Sequence, residues 1–209
     1  MKLILLAFTV AAAATLVAAP EKRSPLQSAP NCGTGLAPGK YAERSIFRLG
    51  ADWTDDRGQS VRLDSLRGRP VVLALFFTSC EHSCPFIVRD MKAMQAALSA
   101  GASGRTQFVL VSIDPERDSA AALKGFRAKH KLGDEHWTLL TGSHEAIRLL
   151  SEKIGFNYAP GSKTQFAHSL LVTILDGKGE VAHQQAGLGV DRRGAIAALE
   201  KLSPAKKAR

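Results

Sequence analysis

A chain of 209 residues with an apolar share of 45 % is long enough for one domain with a buried core plus terminal extensions. Its three cysteines are too few for a disulfide-stapled scaffold. The net charge of +9 comes without the basic and aromatic interleaving of a nucleic-acid surface, so it speaks against nucleic acid and for solubility or steering toward an acidic partner.

The chain opens with Lys2 and the apolar stretch "LILLAFTVAAAATLVAA". Residues 1–19 read as a secretory signal, with Val17 and Ala19 meeting the small-x-small cleavage rule, or, if uncut, as a weak membrane anchor. The following Pro20 is a poor cleavage partner. Either outcome exports the chain to the periplasm or the outer face of the inner membrane. Membrane association would run only through this segment. Residues 20–45 carry prolines and glycines without hydrophobic periodicity and read as a flexible linker. Cys32, in "SAPNCGTG", lacks the residues that precede a lipid-modified cysteine and reads as a spare thiol.

A folded domain is expected over 46–203, followed by a basic tail, 204–209. "VVLALFF" (71–77) is a strand buried on both faces. A helix begins near Pro85, with Ile87, Met91, Met94 and Leu98 on its apolar stripe. "TQFVLVSI" (106–113) is a second buried strand. "DPERD" follows, with Asp118 as cap of a helix carrying Leu123 and Phe126. "HWTLLTG" is a short strand. "SHEAIRLLSEKIG" is a helix capped by Ser143 and stopped by Gly155. "HSLLVTILDGKGEVAHQQ" is a hairpin around Asp176–Gly179, and a last helix runs from Asp191 to Leu202. This alternation predicts an α/β layer fold of the thioredoxin-like kind, a central mixed β-sheet flanked by helices.

Cys80 and Cys84 stand where that sheet carries its chemistry, beyond the carboxyl end of a strand. Spaced i, i+4 at a helix start, both sulfurs can face one spot, where free N–H groups favour thiolate and Arg89 one turn on adds positive charge. Such a pair can be a disulfide, a redox couple or a soft-metal clamp, and the clamp needs a third ligand. His168, opening the penultimate strand, is the best candidate. His82, between the cysteines, reads as an exposed loop residue, and Met91 and Met94 as core. A structural zinc site would need Cys80, Cys84, His168 and His82 together, a cramped set.

Four segments resemble the Sco/SenC family of thioredoxin-fold copper chaperones of cytochrome c oxidase assembly. They are "FFTSCEHSCP", "VLVSIDPERDS", "LTGSHEAIRLLSEKIGFNY" and "HSLLVTILDGKGEV", in order over about residues 46–202. The resemblance implies that Cys80, Cys84 and His168 bind one copper ion, Cu(I) or Cu(II). Its destination would be the copper A centre of an oxidase subunit or another cuproprotein. The two cysteines would also form a redox pair able to reduce that subunit's own cysteines, kept reduced by a thiol-reducing partner. Ala167 stands where the family usually has aspartate, which implies that an orienting partner for His168 is missing.

Overall fold

The computed structural model describes residues 45–160, 166–187 and 189–203. The expected signal or anchor, the linker up to residue 44 with Cys32, and the basic tail lie outside the described residues. In chain order the elements are β1 (Asp52–Asp55), β2 (Ser60–Arg62), β3 (Val71–Phe76), α1 (Cys84–Ala97), α2 (Ala100–Ser103) and β4 (Gln107–Ser112). They continue as α3 (Ala120–His130), β5 (Trp137–Gly142), α4 (His144–Ile154), β6 (Tyr158–Pro160), β7 (Phe166–His168), β8 (Leu171–Leu175), β9 (Val181–Ala186) and α5 (Arg193–Leu202).

Seven strands form one sheet in the order β2-β1-β5-β4-β3-β8-β9. The strands β3, β4 and β5 are parallel, whereas β8 and β9 run antiparallel beyond β3. This is the mixed sheet that the alternation predicts. The continuous apolar runs became the two central strands because every residue of β3 and β4 is buried. Helices α1 and α5 pack together, α5 against β8 and β9, and α3 against β5 and β1. Met91 and Met94 are fully buried, as their helical spacing requires.

The β1–β2 hairpin is an addition that apolar periodicity does not announce. It attaches antiparallel to β5 through Trp53 opposite Gly142. A Cβ at Gly142 would lie 2.6 Å from the Trp53 ring, so only glycine leaves room for the indole. The β8–β9 turn forms where expected: Asp176 accepts the N–H groups of Lys178 and Glu180, and Gly179 takes a left-handed φ of 75°.

Two local expectations need correction. Asp118 does not cap α3; Ser119 does, accepting the N–H of Ala122. A hydroxyl one residue on reaches the free N–H groups equally well, and Asp118 is drawn elsewhere. His168 does not open the penultimate strand. It closes β7, paired with Tyr158 across a separate two-stranded sheet, and β8 begins at Leu171.

Candidate metal centre

The site is built by register. In the antiparallel β3–β8 pair, Ala74 lies opposite Val172. The chain entering β8 therefore reaches the sheet level with the chain leaving β3, and His168 arrives beside the Cys80 loop. The imidazole nitrogens and sulfurs of Cys80, Cys84 and His168 offer ligand atoms within 4.8 Å of one another. Both cysteines are unbridged and buried, and His168 is half-buried.

Helix α1 starts at Cys84 with a proline in its first turn, so Cys80 lies outside the helix. The sulfurs do not meet through helical i, i+4 geometry. They meet because a tight turn, closed by Cys80 N–H donating to the Phe77 carbonyl (3.2 Å), folds the loop back. The Cys84 N–H then donates to Cys80 Sγ at 3.4 Å. Ser83, the residue before the helix, makes no side-chain cap, so the Cys80 sulfur takes an N–H that would otherwise lack an acceptor. The Ser83 hydroxyl bridges the donors, 3.4 Å from Cys80 Sγ and 3.2 Å from His168 Nε2.

His168 is oriented without a carboxylate. Its Nδ1 lies 2.9 Å from the Ser169 carbonyl, which can only accept, so Nδ1 carries a proton and, in the neutral ring, the lone pair is on Nε2. The ring packs edge-on to Phe77 (5.8 Å) and stacked on Phe156 (6.1 Å). The orienting partner expected to be missing is thus a backbone carbonyl. Of two other expectations, that for Arg89 changes and that for His82 holds. Arg89 lies over the Phe86 ring, 4.8 Å from its centroid, and is not among the main groups that shift the Cys80 thiol. His82 is exposed and outside the cluster, so a zinc site lacks its fourth protein ligand among the described residues.

The sulfurs are electrostatically unequal. A hydrogen bond from Cys84, opposed by burial and helped by Ser83 and the N–H groups of Cys84 and His82, pulls the Cys80 thiol far below its ordinary range. Cys84 is pushed far up by that same contact, by burial and by the charge on Cys80. Two sulfurs share one proton, and Cys84 keeps it. Alkylation of the reduced protein by iodoacetamide is accordingly expected to label Cys80 at a nearly constant rate between about pH 5 and 8, whereas an unperturbed thiol slows about tenfold per unit below its pKa of about 8.5. Mass mapping of the label checks this; a rate that climbs tenfold per unit, or label on Cys84 first, contradicts it.

The sequence model of the SCO1/SenC family matches residues 42–203. A candidate copper-binding protein of Stutzerimonas stutzeri is 30 % identical over 128 residues, 61 % of this chain and 60 % of that protein. The chain thus spans about three-fifths of that curated relative. A SCO1/SenC family lipoprotein of Bacillus anthracis str. Ames superposes with a TM-score of 0.66 at 26 % identity, over 73 % of this chain and 92 % of that one. The copper-bound ScoI of Arabidopsis thaliana shares the fold, with a TM-score of 0.64 at 19 % identity over 72 % and 96 % of the two chains. With the family pattern matched along most of its length and the expected sheet in place, the chain belongs to the SCO1/SenC family.

Proposed function

We propose that the protein is a copper-binding metallochaperone in which Cys80, Cys84 and His168 hold one Cu(I). It would pass the ion to the copper A centre of a cytochrome c oxidase, on the outer side of the bacterial inner membrane. The observation that carries this reading is the convergence of two sulfurs and one imidazole nitrogen within 4.8 Å. Two thiolates and a neutral imidazole are a soft set suited to three-coordinate Cu(I). The half-buried His168 side leaves room for a partner's ligand to enter, so the ion can leave by ligand exchange rather than by release into water. The copper-binding description of the Stutzerimonas relative and the bound copper in the Arabidopsis structure support the choice of metal. Export is supported by the sequence of residues 1–19 and by the lipoprotein relative.

A thiol-disulfide exchange role on the same residues is favoured by the asymmetry of the two sulfurs. Cys80 thiolate would attack a partner disulfide, forming a mixed disulfide and releasing one partner sulfur as thiolate. Cys84, giving up its proton, would then attack the Cys80 sulfur. That closes the Cys80–Cys84 disulfide, frees the second partner sulfur and moves two electrons to the partner. Both roles need the reduced pair.

Titration of the reduced protein with Cu(I) against a chromophoric chelator tests the copper reading. One equivalent is expected to bind, with X-ray absorption showing two sulfur scatterers and one imidazole. Absence of binding, or a site without sulfur, would dismiss it, and pre-oxidation of the pair is expected to abolish uptake.

A further inference from the structure

The "DPERD" segment supplies none of the three donor atoms, yet its last residue is tied to the site by an unusual set of bonds. Asp118 is 0 % exposed. Its carboxylate accepts three hydrogen bonds: the Thr78 N–H at 2.9 Å, the Thr78 hydroxyl at 2.5 Å and the Ser112 hydroxyl at 2.6 Å. Two of the three donors belong to one residue, so backbone and side chain of Thr78 are gripped together. Thr78 stands two residues before Cys80, on the chain leaving β3, and Ser112 ends β4.

The carboxylate is available for this because Ser119 takes over the capping of α3. The segment is also braced from within. The Asp118 N–H donates to the Asp114 carbonyl at 2.9 Å, Asp114 pairs with Arg117, and the Asp114 N–H donates to the Ser112 hydroxyl at 3.0 Å. A stiff loop after β4 therefore holds the loop after β3. A buried carboxylate keeps its geometry strictly, since each donor it loses is left without a partner away from water.

We propose that Asp118 is a positioning residue for the donor set: by clamping Thr78 it holds the 77–80 turn in the shape that presents Cys80 to Cys84 and His168. Residues so placed behind metal ligands fix where the ligand atom sits and how readily it exchanges. The inference extends the copper reading, but one of its measurements needs no metal.

The test compares the parent with Asp118→Asn, Thr78→Val, their double variant and Thr78→Ser. Asparagine keeps one acceptor oxygen and turns the other into a donor, so either the Thr78 N–H or the Thr78 hydroxyl loses its acceptor; valine removes only the hydroxyl; serine keeps it. Two quantities are read on folded protein: the Cys80–Cys84 dithiol–disulfide midpoint in glutathione buffers, and Cu(I) affinity against a chromophoric chelator. Asp118→Asn and Thr78→Val are expected to weaken Cu(I) binding by about 10- to 100-fold and to shift the dithiol midpoint. Thr78→Ser stays near the parent, and the double variant is no worse than the more severe single one. The proposal is overturned if both variants only lower the melting temperature while affinity and midpoint stay parental. It is equally overturned if the two effects simply multiply. Should Asp118→Asn fail to fold, the valine and serine variants decide alone. A parent protein that binds no Cu(I) would defeat the copper reading, and the dithiol midpoint would still decide the role of Asp118.

Discussion

His168→Ala is expected to lower Cu(I) affinity by far more than the about 10- to 100-fold that loss of a supporting partner costs, with little change in melting temperature. The ring is half-buried at the end of a three-residue strand, so its removal opens no large cavity in the main core. What is lost is the one nitrogen of the donor set. Its Nε2 lone pair is held ready because the Ser169 carbonyl fixes the proton on Nδ1. Two sulfurs alone leave the ion short of a ligand, and the Ser83 hydroxyl is a weak substitute. Competition titration and X-ray absorption measure the effect, with His82→Ala as the control expected to match the parent, since His82 is exposed and outside the cluster. An unchanged affinity for His168→Ala, or a loss shared equally by His82→Ala, would remove the imidazole from the site.

How the donors come together was only partly legible before the fold was seen. Strands buried on both faces announce themselves as continuous apolar runs, and β3 and β4 did so. Pro85 marked the start of α1, and the helical spacing of Met91 and Met94 marked them as core rather than ligands. His168 could be placed beside the cysteines only by supposing the sheet, because the β3–β8 register, and no local pattern, sets it there. Its true position at the end of β7 was hidden, since strands of three residues have no periodicity to read. The β1–β2 hairpin was hidden for the same reason: "DWTD" and "SVR" hold few apolar residues, and what anchors them is non-local, the ladder with β5 and Trp53 over Gly142.

Orientation was less legible than location. The group that fixes His168 is a backbone carbonyl, and every residue has one. Asp118 and Ser119 are adjacent and both good caps, so their neighbours along the chain do not choose between them. The choice falls to Thr78, far away in sequence, which takes the carboxylate and leaves the hydroxyl to the helix. The loop before Cys84 shows the same limit. Helical spacing suggested why two sulfurs share a face, but the actual cause is a turn at Phe77–Cys80.

Arg127→Met is expected to destabilise the domain by about 3–5 kcal/mol, the usual result of stripping one partner from a buried ion pair. Arg127 on α3 grips both carboxylate oxygens of Asp56, at 2.5 and 2.9 Å, and donates to the carbonyls of Trp137 and Gly133, each at 3.0 Å. It thereby ties α3 to the turn after β1 and to the entry of β5. Methionine fills part of the space but leaves the Asp56 carboxylate, 6 % exposed, without its cation. Removing both charges, as in Asp56→Leu with Arg127→Met, is expected to recover much of the loss, because two desolvated charges are then no longer required. The dependence on pH separates this account from simple loss of packing. Burial pushes the Asp56 carboxyl up, but the Arg127 hydrogen bond and charge, its own backbone contact and Arg57 hold it below its ordinary value of 3.8. A carboxyl depressed in the folded state contributes stability above its unfolded value and loses it as acid protonates the folded form. The parent should therefore weaken as pH falls below about 4. In Arg127→Met burial, the largest influence, is opposed only by the backbone contact and Arg57, so the folded carboxyl is expected to titrate higher than in the parent, and mild acid should narrow the gap between variant and parent. Urea unfolding at neutral pH and near pH 4 measures both effects; a gap that is the same at the two pH values would contradict the electrostatic origin. None of Arg127's partners is a donor residue, so the folded fraction of the variant is expected to bind Cu(I) as the parent does, which separates holding the domain together from holding the metal.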